Sequence, residues 1–328
     1  DELTQLNLVP LWPSLRAVLP PNVPTRKTQP TCWAYDTLRP LLMRAGDLTP
    51  MEKAERRVLV MANPGHGLEK MQASAAIYLG MQLLLPGEWA PSHRHTPNAV
   101  RMVVEGEGAW TTVDGEKCPM SRGDLILTPT GLWHEHGHDG TQPVVWLDVL
   151  DLPLVHYLEA SYHVNGPRQA VQPGHGDRTY ARGGLLPTPV FERTTKAYPM
   201  LRYPWVEARA ALQALAADRP DLEAVQVTYV NPETGGDAEN ILGFYALMLR
   251  PGQTLRLPAH IHITTCDLRH TSEEGDRGLL QAVNERGIEK VIERVLRLEA
   301  LKAVHLQVVV QQHLKLRLRL AEAVLKAR

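Results

Sequence analysis

Two histidines stand one residue apart in PGEWAPSHRHTPNAVRMVVEGEGAW, residues 86–110: His93 and His95, just behind the Pro86-Gly87 turn. On an extended strand, side chains i and i+2 share a face, so both imidazoles point one way and Arg94 points the other. Two imidazoles a strand-step apart can bind one divalent ion through nitrogens about 2 Å from it. A third candidate lies in GDLILTPTGLWHEHGH. There Gly123-Asp124 leads a strand, Pro129 and Gly131 mark a tight turn, and His134 falls on the returning strand. An antiparallel barrel can set His134 opposite the first pair. An isolated His-x-His is weak evidence; the ordered set of turn, hairpin and second histidine is far stronger. Arg101, six residues past His95, shares the histidine face if the strand is regular. An inward arginine needs an anion, because burying an unpaired charge is costly. That anion is either a substrate carboxylate or ring oxygen, clamped bidentately, or an acidic side chain such as Asp148.

The elements that must carry these residues are short and β-type. AIYLGMQLLLPGEW, AVRMVVEGEGAWTTVDGEKCPM, GDLILTPTGLW and PVVWLDVLDLP are broken by Gly and Pro turns, a spacing that suggests a closed or double-layered β fold. Asp114-Gly115 reads as a two-residue hairpin turn. Upstream, TPMEKAERRVLVMANPG reads as a helix with Thr49 as N-cap, ending before Asn63-Pro64-Gly65. A further helix is expected near EARAALQALAAD. ILGFYALMLRPGQTLRLPAHIH (241–262) echoes AIYLGMQLLLPGEWAPSHRH (76–95) with two extra residues before its first histidine, which suggests a duplicated barrel. The resulting division is an N-terminal helical arm at 1–75, a metal-bearing barrel at 76–155, a linker with a helix at 156–225, and a second barrel with incomplete motifs at 226–328. In the second copy His260 and His262 have no downstream counterpart of His134, so a structural and interfacial role is expected there. Residues 263–328 lack Pro, Met, Phe, Tyr and Trp. LLQAVNERGIEKVIERVLRLEALKAV has helical periodicity and VHLQVVVQQHLKLRLRL alternates like a strand.

Composition excludes several classes. The 328 residues carry a formal net charge of −1, which makes no general case for nucleic acid or an anionic membrane as partner. Cys32, Cys118 and Cys266 are far apart with no CxxC, so reduced thiols and a cytoplasmic location are expected. The N-terminal DELTQLNLVPLWPSLR does not read as a signal peptide. No apolar run is long enough to span a membrane.

With these residues in place the chain resembles the cupin superfamily. Gly87, His93, His95 and Gly106 match its first motif, and Gly123, Pro129, Gly131 and His134 its second. The glutamate usual after His-x-His is absent, since Pro97, Asn98, Ala99 and Val100 occupy that stretch; a three-histidine site is expected. PSHRHTPNAVRMVVEGEGAWTTVDGEKCPMSRGDLILTPTGLWHEHGHDG, with LWPSLR and VVWLDVLDLPLVHYLEASY, is similar to gentisate 1,2-dioxygenases over roughly residues 5–262. The resemblance implies a mainly β bicupin fold with N-terminal and inter-domain helices. It also implies Fe(II) in the first barrel, a small aromatic acid and O₂ as substrates, and a homotetramer.

His134, His136 and His138 compete for the third ligand position. The Pro-x-Gly-x-x-His spacing and the family pattern select His134. His136 then becomes an acid/base or substrate contact, and His138 an exposed loop residue. The resemblance further implies substrate-binding roles for Arg57, Gln82, Arg101, His136 and Asp148, with His136, Asp148 and Arg101 as the catalytic set. Arg57 would have to reach the barrel mouth from the expected helix, and Arg56 beside it is the competing candidate. Trp89, Trp110, Trp133 and Trp146 read as packing residues, and Tyr78 as a pocket-lining or packed tyrosine. The implied reaction opens gentisate to maleylpyruvate. The alternatives are a salicylate or 1-hydroxy-2-naphthoate dioxygenase, or a non-oxidative cupin acting as a binding protein or isomerase.

Overall fold

The computed structural model describes residues 2–22, 24–174, 176–181, 183–186, 197–222, 224–250, 262–268, 277–283 and 305–312. Its strands, in chain order, are β1 (Thr31–Ala34), β2 (Val58–Val60), β3 (Tyr78–Leu84), β4 (Trp89–His95), β5 (Ala99–Glu105) and β6 (Ala109–Val113). There follow β7 (Glu116–Pro119), β8 (Leu125–Thr128), β9 (His134–His138), β10 (Val144–Leu150), β11 (His163–Asn165) and β12 (Gln172–Pro173). The last are β13 (Arg202–Tyr203), β14 (Val225–Thr228), β15 (Leu242–Leu249), β16 (His262–Leu268), β17 (Arg277–Val283) and β18 (His305–Gln312). The α-helices are α1 (Glu2–Gln5), α2 (Leu15–Val18), α3 (Tyr35–Leu48), α4 (Met51–Ala54), α5 (Leu152–Tyr157), α6 (Gly176–Thr179) and α7 (Trp205–Asp218). None is long and apolar enough to cross a membrane.

Two six-stranded sheets form the first barrel, in the orders β13-β8-β5-β10-β3-β2 and β11-β4-β9-β6-β7-β12. The central strands β3 and β10 are almost wholly buried, and their sequences YLGMQLL and VVWLDVL are correspondingly near-continuous in apolar residues. Leu79, Met81, Leu83, Ile126 and Trp146 are essentially inaccessible to solvent. Each such aliphatic side chain contributes about 2 kcal/mol relative to exposure. The β6–β7 hairpin turns at Asp114-Gly115, with φ of +45° and +86°, as a type I′ turn requires. The turn before β9 depends on Gly131, whose φ is +75°; a β-carbon would be strained there. Its N–H donates to the His95 carbonyl at 2.9 Å, so the turn that delivers His134 is tied to the strand carrying the first two histidines.

A third sheet has the order β1-β17-β16-β18-β15-β14, and α7 lies against β14 and β15. The helix expected near EARAALQALAAD is therefore present. The alternation read in VHLQVVVQQ gives β18, whereas LLQAV, placed in a helical pattern, lies in β17 and pairs with β16. Pairing with neighbours decides that segment over its own periodicity.

The expected N-terminal helix is corrected. Only α4 is helical; Glu55 then takes φ +52°, and Val58–Val60 pairs antiparallel with β3. The β-branched valines gain an edge-strand pairing with β3 in place of the roughly two further helical turns expected there. Residues 1–75 are thus not a purely helical arm, because they supply β2 to the first barrel and β1 to the third sheet.

Candidate metal centre and substrate pocket

β4 and β9 run antiparallel with His93 directly opposite His134, and directly opposed residues project to the same face. His95, two residues on from His93, joins them. Ring centroids are 4.1 Å apart for His93–His134, 4.7 Å for His95–His134 and 5.3 Å for His93–His95. One nitrogen from each ring lies within 4.8 Å of the others. His95 Nδ1 sits 2.7 Å from the Pro97 carbonyl and His134 Nδ1 3.0 Å from the Leu132 carbonyl. An Nδ1–H donated to a backbone carbonyl leaves Nε2 with its lone pair, the tautomer a metal ligand needs. The Nε2 of His134 is buried and has no hydrogen-bond partner. His93 Nδ1 lies 3.3 Å from the Pro91 carbonyl, with the Arg56 guanidinium against it.

Burial keeps the three rings neutral. It lowers His93 to about 2, reinforced by Arg56, and His95 to about 4; it holds His134 well below the ordinary histidine value. Three neutral imidazoles, one with an orphaned lone pair, fit a borderline divalent ion such as Fe(II) and leave positions open on it. No carboxylate approaches this group closely enough to join it among the described residues, in keeping with the absence of a glutamate at Pro97-Asn98-Ala99-Val100 after the His-x-His.

The facing sheet supplies the other predicted residues. Asp148 of β10 pairs across to Arg101 of β5 and Gly80 of β3, and Trp146 pairs across to Gln82. Arg101 is buried, with Nε 3.0 Å from Asp148 Oδ1 and Nη1 donating to Thr128 Oγ1 at 2.6 Å. The acidic partner considered from the sequence is therefore present, and it leaves the guanidinium inside the barrel. Burial raises the Asp148 pKa against the opposing pull of Arg101. The Trp146 indole N–H donates to Asp148 Oδ2 at 3.1 Å. The Gln82 side chain is buried with Nε2 unpartnered. Tyr78 lies across Gly80, where a β-carbon would fall 2.6 Å from the tyrosine oxygen, and Asp148 acts on its hydroxyl electrostatically.

His136 stands outside the three-ligand group, its ring centroid 6.1 Å from His134 and 5.3 Å from Trp146. Its Nδ1 is 2.9 Å from Thr111 Oγ1, and its Nε2 is buried without a partner. His138 is corrected: it is buried, not an exposed loop residue. It lies on the inner face of β9, where its Nε2 meets the Gln142 carbonyl at 2.5 Å and its Nδ1 accepts from the Gly140 N–H. Continuing the strand's two-residue period through 134, 136 and 138 makes inward placement unavoidable.

Arg57 is not brought to the histidines in this structure. Its guanidinium pairs with Glu88, and its Nη1 lies close to Gly46 of α3. Val58 faces Gln82 across β2 and β3, so Arg57 belongs to the opposite face and Arg56 to the pocket face. Arg56 donates to the Pro91 carbonyl at 2.6 Å. Burial and the neighbouring Arg101 lower its pKa to about 10.

Thr111 and His163 escaped sequence reasoning. Thr111 precedes its partner histidine by 25 residues, and only the β6–β9 register joins them. His163 pairs across to His95, and Asn165 to His93, on a strand separated from β10 by α5. Trp146, read as packing, is packed and also holds Asp148. Arg94 points away as expected, its guanidinium 4.8 Å from the Trp133 ring centroid. His260 lies outside the described residues.

A double-layered β barrel holding three convergent histidines that could hold a metal ion, with Arg56 beside them, defines a cupin. The family model described as a cupin domain matches residues 80–150. The chain is 82% identical over 258 residues to a gentisate 1,2-dioxygenase of Ralstonia sp, covering 79% of this chain and 73% of that one. It is 35% identical over 260 residues to a 5-aminosalicylate 1,2-dioxygenase of Comamonas sp, covering 77% and 69%. The crystal structure of a salicylate 1,2-dioxygenase from Pseudoaminobacter salicylatoxidans, as adducts with gentisate, superimposes with a TM-score of 0.74 at 29% identity, covering 94% of this chain and 88% of that one. The chain belongs to the gentisate 1,2-dioxygenase family and is a mainly β, bicupin dioxygenase.

Proposed function

We propose that the protein converts gentisate (2,5-dihydroxybenzoate) and O₂ to maleylpyruvate in aromatic catabolism, with Fe(II) held by His93, His95 and His134. The observation that carries this reading is the buried, unpartnered Nε2 of His134 facing two further neutral imidazoles. Bound there, ferrous iron supplies the Lewis-acid and one-electron chemistry that O₂ activation needs. The protein's own residues bind and orient the acid. Arg101 and Arg56, in place of Arg57, offer positive charge to the substrate's carboxylate and the adjacent phenolic oxygen. Gln82 offers its free amide. Asp148 holds Arg101 and Trp146 in position beside the ring.

His136 handles the proton of the distal hydroxyl. With Nδ1–H given to Thr111, its Nε2 keeps a lone pair, and burial keeps the ring neutral. Base catalysis at that oxygen contributes about 10²–10⁴-fold. Cleavage falls between the carboxyl-bearing carbon and the adjacent hydroxyl-bearing carbon, and both oxygen atoms enter the product.

The same reading takes 76–155 as the body of the metal-bearing barrel, 156–225 as a linker that also lends it the flanking strands β11, β12 and β13, and 226–328 as a second barrel serving a cytoplasmic homotetramer. The test is anaerobic Fe(II) reconstitution followed by gentisate, salicylate and 1-hydroxy-2-naphthoate in turn, with O₂ uptake and ring-opened absorbance recorded. Turnover of gentisate above the other two supports the assignment. Preference for salicylate or the naphthoate moves it to a sister dioxygenase, and absence of O₂ uptake with all three overturns oxidative function.

A further inference from the structure

β11 is the outermost strand of the metal-bearing sheet, three residues long and exposed throughout. Its antiparallel register sets His163 against His95 and Asn165 against His93. Directly opposed residues share a face, so His163 projects toward the histidine centre. Its ring centroid lies 5.4 Å from that of His93. Even so, it is not one of the three residues whose nitrogens converge within 4.8 Å. The side chains form a gradient from solvent inward: His163 is exposed, His95 half-buried, and His93 and His134 buried.

A hydrated divalent ion must give up its waters before it reaches His134, and it does so beside Arg56 and Arg101, whose charges act on the same rings. Stripping water from a dication next to two cations is costly unless protein donors replace the lost ligands one at a time. An imidazole at the solvent edge, beside the first buried ligand, provides such a replacement before burial begins. Asn165 adds a neutral carbonyl oxygen on the same face.

We propose that His163 is a metal-capture residue: the first protein ligand a divalent ion meets, which passes the ion to His93 and the three-histidine centre. This rests on the reading of that centre as a metal site. The role is kinetic. A capture ligand lowers the barrier for loading and for release alike and leaves the final occupancy unchanged.

The experiment uses chelator-stripped full-length protein mixed anaerobically with Co(II), followed by the growth of its visible d–d absorption in a stopped-flow instrument. His163→Ala and His163→Gln should each slow association about tenfold, within the range over which single substitutions move on-rates. Final stoichiometry and band positions should be unchanged, and release to excess chelator should slow by the same factor. His163→Asp, which restores a ligand of different shape, should recover most of the rate. Association in both the Ala and Gln variants indistinguishable from the parent protein overturns the proposal. So does a changed spectrum or lost stoichiometry, which would make His163 a resident ligand. Failure of the parent protein to bind Co(II) overturns the metal-site reading itself, an outcome readily told apart from the others.

Discussion

Arg101 and Asp148 face each other across β5 and β10 as a buried ion pair, Nε to Oδ1 3.0 Å. Removing one charge strands the other inside the barrel. Asp148→Asn should therefore cost about 3 kcal/mol of stability, read as a lower urea midpoint at constant slope. The double replacement Arg101→Met with Asp148→Leu should regain much of that loss while turnover stays abolished. Such a split separates what the pair does for folding from what Arg101 does for substrate.

His134 and His136 are two residues apart on one strand face, yet only His134 converges with His93 and His95. His134→Ala should lose the metal and all turnover. His136→Ala should keep metal content near that of the parent and lose activity about 10²–10⁴-fold. Metal analysis of the purified variants checks this; loss of metal in His136→Ala with retention in His134→Ala would reverse the ligand assignment.

Adjacent arginines should give opposite phenotypes. Arg56→Ala removes a charged group from the pocket face, and KM for gentisate should rise about tenfold or more. Arg57→Ala leaves Glu88 without its partner on the far face, and should lower thermal stability while kcat/KM changes little. Steady-state kinetics with a melting curve on both variants distinguishes them.

Acid should destabilise the metal-free protein in a defined window. Burial holds His95 at about 4 and His93 at about 2, against 6.5 for an unperturbed imidazole. Between those values and 6.5 the unfolded chain binds protons that the folded chain does not. Stability from these groups is therefore complete above about pH 6.5 and lost as pH falls toward 4. Urea midpoints of chelated protein should drop steadily from neutral pH to about pH 5, and His95→Gln should flatten that slope.

Much of the site was legible in the chain because its ligands lie on strands with a two-residue period. His93 and His95 had to share a face, and the Pro129-x-Gly131 turn had to return His134 toward them. The Asp114-Gly115 hairpin and the helix at 205–218 followed from equally local rules, and the missing carboxylate in the stretch Pro97-Asn98-Ala99-Val100 was visible as an absence. Local rules failed where a partner strand made the decision. Whether Arg56 or Arg57 enters the pocket depends on the pairing of Val58 with Gln82, which converts an apparent helix into an edge strand. His138 is inside because β9 runs on through the turn-like Gly137 to His138, paired with β6 and with Trp110 packed over Gly137. The contacts of His136 with Thr111 and of His163 with the centre join residues that no spacing relates. The sequence by itself determined which side chains could bind a metal and the faces they share along each strand, since backbone geometry sets that period. Only the tertiary structure decided which faces meet, because register between distant strands is chosen by the packing of the whole barrel.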